Sequence, residues 1–161
     1  MEYKIYLVKN MEYKIDTLNW QLLDLLQQNA RLTMTELGRK VGLTAPAVAE
    51  RVKKMEDMGI IRGYYTKLSY LKTGNQLKAI ITLKVFMGRL IPFLEKVADF
   101  EEVINCYRIT GNENIIMEVV LRDQGHLEKF IDQLISYGET KTHIVLSNKV
   151  ENAPIRSSVK K

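Results

Sequence analysis

Apolar side chains recur at helical spacing three times in the first third of the chain. Leu18, Leu22, Leu25 and Leu26 fall on one face of a helix predicted over 17–28, with Asp16 as N-cap and Ile15 and Trp20 at the positions of a hydrophobic staple. A second helix, over 34–41, opens on a capping box with Thr33 at the N-cap, Glu36 as its reciprocal partner and a Leu32–Leu37 staple. After a glycine turn, a third, over 45–58, has Thr44 as N-cap, Pro46 in the tolerant first turn, a Leu43–Val48 staple and Gly59 as its stop. Residues 60–68 then turn β-branched and aromatic around Gly63 and read as a small strand pair or wing. Residues 71–76, containing Gly74, read as a linker.

The second half alternates strand and helix. It runs strand 77–86, helix 90–100, strand 103–110, turn 111–114, strand 115–121, amphipathic helix 125–137 and strand 143–150. This βαββαβ order predicts a four-stranded antiparallel sheet with both helices on one face. Alternation places Lys84, Arg108, Glu118 and His143 beside Ile80, Phe86, Ile104, Ile116 and Val120 on the other face. That mixed surface is too apolar to leave in water and suits a self-complementary dimer.

Composition narrows the classes. The 161 residues, 46% apolar and 27% charged, are those of a globular protein with one large domain or two small ones. No apolar run approaches the ~18 residues of a membrane span, and no signal-peptide pattern opens the chain. The lone Cys106 cannot form an intrachain disulfide, which fits a reducing cytoplasm. With His126 and His143 it supplies no ligand pair at a usual spacing, so neither metal nor cofactor is expected. The pentapeptide MEYKI occurs at 1–5 and again at 11–15, too short for a structural repeat, and marks 1–10 as a duplicated start or added extension. The domains then read as 11–70, the linker 71–76, a second domain 77–150 and a tail 151–161.

The formal charge is only +5, but it is unevenly placed. Between Arg31 and Lys67 eight basic residues face four acidic ones, whereas from Thr73 to Val150 the count is nine against ten. The excess sits where a helix pair could meet phosphate, although a solvated basic face would give the same count. With Val48, Val52 and Met55 buried, Pro46, Ala47, Glu50, Lys53 and Lys54 turn outward and Arg51 lies on the flank. The small residues would let this helix approach base edges in a major groove, and Glu50 could accept from a cytosine amino group or simply pair with Lys54. Arg51, Lys53 and Lys54 are candidates for phosphate or guanine. The start of the second helix, with Thr33 and Thr35, offers backbone N–H groups to a phosphate, and Arg39 and Lys40 add charge nearby.

The succession Asp16, Leu25-Leu26, Asn29-Ala30-Arg31-Leu32-Thr33, Glu36-Leu37, Val41-Gly42-Leu43-Thr44, Val48, Arg51-Val52, Met55-Glu56, Gly59-Ile60-Ile61 and Gly63-Tyr64 resembles the Lrp/AsnC (feast/famine) family of transcriptional regulators. The resemblance runs from Met11 to about Val150. It implies an α+β protein: an N-terminal winged helix-turn-helix followed by a ferredoxin-like βαββαβ (RAM/ACT-like) regulatory domain. It further implies a cytoplasmic, nucleoid-associated, non-enzymatic prokaryotic regulator that binds double-stranded promoter DNA as homodimers, often assembled into octamers, commonly with an amino-acid effector. In such proteins the turn between the second and third regulatory strands helps hold the effector. Here that turn is Gly111, Asn112, Glu113, Asn114, and Asn114 and Ile115 stand where an aspartate and an aromatic residue are usual. A charge that would pair with an α-ammonium group is therefore missing, with Glu113 as the available substitute. Two other readings share the fold: an architectural DNA-compacting protein, and a sirohaem-decarboxylase-like enzyme using His126 and His143.

Overall fold

The computed structural model describes residues 15–157, so the first MEYKI copy, most of the second and the extension 1–10 lie outside the described residues. The described residues divide into two units: 15–65 rejoined by 152–157, and Thr66 to Glu151.

In the first unit three helices form around one core: α1 (Thr17–Gln28), α2 (Met34–Val41) and α3 (Ala45–Asp57). Their boundaries follow from local chemistry. Asp16 accepts from the Asn19 N–H and starts α1, and the Thr33–Glu36 capping box starts α2 in both of its reciprocal bonds. Gly42, at φ +74°, ends α2 in the left-handed conformation that a side chain would disfavour. Thr44 precedes α3 but makes no side-chain cap bond. Pro46 stands at N2 and removes one of the two N–H groups such a cap would reach. Leu22, Leu23, Leu26, Leu37, Val48, Val52 and Met55 are buried together, with Ile15, Trp20, Leu32 and Leu43 packed against them. The strand pair expected over 60–68 does not form within the chain. Ile60 and Ile61 bond back to the Met55 carbonyl and pack on the core, and residues 62–69 run without a ladder.

The second unit is the expected sheet, in the order β2-β3-β1-β4. Its strands are β1 (Leu77–Val85), β2 (Val103–Arg108), β3 (Ile115–Leu121) and β4 (Gly138–Ile144), every neighbouring pair antiparallel. Helices α4 (Leu90–Lys96) and α5 (Gln124–Leu134) cover one face, where Phe93, Phe130 and Leu134 meet Ile81, Leu83, Met117 and Val119. The edge rings Phe93–Tyr137 and Phe100–Phe130 meet edge-on at 5.5 Å.

Three sequence expectations shift. The last strand begins at Gly138, not 143, because its inward positions are Thr140 and Thr142, and a polar edge strand gives no apolar signal. Arg108 pairs with Ile115 on the helix-covered register, while Tyr107 opposite Ile116 takes the open face. The cause is a bulge between Val103 and Asn105, which exchanges the two sides of β2. Residues 71–76, expected as a linker, lie inside the second unit and hold a short 3₁₀ turn, Leu71–Thr73, closed by Gly74 at φ +94°.

Candidate nucleic-acid interface

The helix pair is held at a fixed angle by its turn. Leu43 N–H donates to the Gly38 carbonyl, and a Cβ on Gly38 would lie 2.4 Å from the Leu43 carbonyl oxygen. Only glycine lets α2 approach the turn this closely. Burial of Val48, Val52 and Met55 fixes the rotation of α3 about its axis. Thr44, Pro46, Glu50, Lys53 and Lys54 are then exposed, and Ala47 is half-buried on the flank. Arg39 and Lys40 are exposed in the last turn of α2, where they also answer the helix dipole.

Two expected DNA contacts have other work. Arg51 reaches across to α1, donating to Asp16 Oδ2 at 2.6 Å and to Asn19 Oδ1 at 2.9 Å, so its guanidinium ties α3 to α1. Asp16 thus caps α1 with one oxygen and grips Arg51 with the other. Desolvation pushes its carboxyl up, but the Arg51 guanidinium and the Asn19 N–H outweigh that and lower it. At the start of α2, Thr33 donates both its N–H and its hydroxyl to Glu36, and its hydroxyl accepts from the Glu36 N–H. The Glu36 carboxylate is held below its usual range by the Thr33 backbone and hydroxyl. A phosphate approaching Thr35 there would meet that negative charge.

The turn 111–114 is internally satisfied. Asn114 Oδ1 accepts from the Val85 N–H at 2.8 Å and its own N–H donates to the Leu83 carbonyl, which prolongs the β1–β3 pairing. Glu113 is paired with Lys141 at 2.6 Å, and that ammonium holds its carboxyl down. Gly111, at φ +125°, makes the bend, and Asn112 is exposed. His126 sits between Glu102, 2.8 Å from Nε2, and the Arg122 N–H at Nδ1. His143 stands on the open face opposite Ile80. Burial raises the Cys106 thiol, the opposite of what a nucleophile needs.

The residues that sequence reasoning missed are Asn19, Gly38 and Gln27. A glycine inside a helix is itself a signal, since it weakens the helix unless something approaches closely. An asparagine on the inner side of a helix is a weaker one.

A family described as winged helix-turn-helix DNA-binding matches residues 15–62, and one described as the Lrp/AsnC ligand binding domain matches 78–155. The Bacillus subtilis protein named uncharacterized HTH-type transcriptional regulator YezC is 37% identical over 134 residues, covering 83% of this chain and 95% of that protein. The solved structure of Bacillus subtilis LrpC superposes with a TM-score of 0.81 at 30% identity, covering 84% of this chain and 96% of that one. The Neisseria meningitidis transcriptional regulator NMB0573, solved as its L-Met complex, gives 0.83 at 27% identity over 87% and 95%. A capped helix pair with lysines exposed on its second member, followed by a ferredoxin-like unit, therefore has its relatives throughout both halves, and the chain belongs to the Lrp/AsnC family of DNA-binding transcriptional regulators.

Proposed function

We propose that the chain reads promoter DNA by laying α3 in the major groove, as a homodimer or a higher assembly such as an octamer, in the cytoplasm. The observation that carries this is the rotation of α3: its three buried residues leave Pro46, Glu50, Lys53 and Lys54 together on the exposed side. Lys53 and Lys54 are the phosphate or guanine donors. Arg51 acts at one remove, by setting the angle of α3 against α1. Arg39 and Lys40 extend the positive surface toward the flanking backbone. The test is fluorescence anisotropy on DNA fragments selected from random sequence. Lys53→Ala and Lys54→Ala should each weaken binding and lower the salt slope by about one. Unchanged affinity and slope in both would remove α3 as the reader.

The ligand-binding character of the second unit supports an amino-acid effector, and the NMB0573 complex with L-Met is an instance in a relative. Of the turn 111–114, only Glu113 brings a carboxylate, and Lys141 occupies it. An α-ammonium group at this turn would have to displace Lys141. Calorimetry with the twenty amino acids should therefore show binding that Lys141→Ala strengthens and Glu113→Gln abolishes; no heat with any of them would exclude this site.

A further inference from the structure

The first unit carries a pocket that DNA reading does not use. It opens beside α1 with a volume of about 300 Å³, and Ile15, Trp20, Leu23 and Leu26 line it together with Ile61 and Tyr65. The far end of the chain lies at the same pocket. Residues 152–157 belong with this unit, although the chain has by then built the whole of the other one, and Ile155 is among the lining residues. The contact is specific. Gln27 Nε2 donates to the Ile155 carbonyl at 3.0 Å, and Gln27 Oε1 accepts from the Ile155 N–H at 2.8 Å. A side-chain amide that answers both backbone groups of one residue reproduces the paired bonds an antiparallel strand would supply. It therefore recognises extended backbone rather than a particular side chain, and Ile155 keeps 75% of its surface exposed.

We propose that the chain's own C-terminal segment, residues 152–157, clasped by Gln27 at the edge of this pocket, is a releasable strap. With the strap docked, the winged-helix unit is joined to the second unit by two connections, at 65–66 and at 151–152, instead of one. Within the second unit, Lys67 and Glu151 pair at 2.7 Å, so the incoming and outgoing segments are pinned together at its boundary. A doubly connected unit has fewer accessible orientations than a singly connected one. The Gln27 clasp is exposed, so water competes for both of its bonds and the docked strap exchanges with a released one. Resting on the DNA reading above, the consequence is regulatory: the docked strap narrows the half-site spacings the protein accepts, and release widens them.

Gln27→Ala removes the clasp while leaving α1 intact, since the position is exposed and alanine is a strong helix former. In hydrogen exchange of the full chain, the Ile155 amide should exchange about tenfold faster in this variant than in the parent, with the amides of α1 and α3 unchanged. Equal rates at Ile155 would overturn the proposal. A second variant carries Gln27→Cys and Ile155→Cys in a Cys106→Ser background and is treated with a short bismaleimide. Cross-linked protein of monomer mass supports the chain's own strap; a covalent dimer would assign the tail to another copy and overturn it. On DNA with half-site spacing shifted by half a turn, Gln27→Ala should lose less affinity than the parent. Identical losses would remove the strap's restraining role. Absence of DNA binding by both proteins would sink the DNA reading alone and leave the exchange and cross-linking results standing.

Discussion

Arg51 shows how a residue's chemistry and its employment differ. A cation on the flank of α3 looks like a phosphate ligand, yet its Nη1 is engaged by Asp16 and Asn19. The side chains of the pair are 32% and 49% exposed, so the ion pair itself contributes no more than about 1 kcal/mol. Its larger value lies in Asn19, a polar side chain only 1% exposed. Arg51→Ala should cost about 1–2 kcal/mol in thermal unfolding of the first unit. It should also weaken DNA binding without lowering the salt slope, which separates it from Lys53→Ala and Lys54→Ala. The same contact predicts a pH dependence. The Asp16 carboxyl is lowered on folding, so the stabilisation is fully present above its unfolded pKa and is lost as pH falls through the folded one. The parent should therefore lose stability in acid below the ordinary carboxylate range, and Arg51→Ala should show a shallower loss in the same titration. Parallel curves would mean that Arg51 does not govern this ionisation.

At the scale of elements, what could be read from the sequence was what local chemistry decides. Asp16, the Thr33–Glu36 box, Gly42 and Gly59 set helix ends through bonds and backbone angles confined to a few neighbouring residues, and the three N-terminal helices lie where those residues put them. The misreadings arose where a distant partner decides. The bulge in β2 is fixed by its pairing with β3, and it moved Arg108 off the open face. Gly138 starts β4 because β1 passes so close that a Cβ would lie 2.2 Å from the Lys84 carbonyl oxygen, a constraint no local pattern announces. On the site, the outward positions of α3 followed from its apolar stripe, whereas the engagement of Arg51 and Glu113 needed the tertiary structure. Gly38 makes the point testable. In an isolated helix Gly→Ala stabilises by about 1 kcal/mol. Here the added methyl meets the Leu43 backbone, and the strain of a close contact of about 1–3 kcal/mol wins. Gly38→Ala should thus lower the melting temperature of the first unit and displace α3 enough to weaken DNA binding. A higher melting temperature would show that the turn yields easily.

For the whole molecule, the proposed homodimer rests on the open face of the sheet. Ile80, Ile116 and Val120 lie half-buried on it around the Lys78–Glu118 pair at 3.2 Å, with Tyr107 and Phe86, each 48% exposed, beside them. A face this apolar, whose central charges Lys78 and Glu118 already pair with each other, suits a homodimer interface. Ile116 is central, paired across the sheet with Thr82 on one side and Tyr107 on the other. In a monomer, Ile116→Arg would lay its stem on the sheet and keep its charge in water, at little cost. In a dimer formed through this face, the same guanidinium would be buried without a partner, at several kcal/mol. The variant should therefore sediment as a monomer with the unfolding of its second unit unchanged. In the proposed dimer two linked α3 helices would read half-sites roughly 34 Å or a multiple apart, the second engaging at the effective concentration set by the first. Ile116→Arg should accordingly lose its preference for paired half-sites over single ones while keeping its affinity for a single half-site. A variant that remains dimeric in ultracentrifugation would place the interface elsewhere.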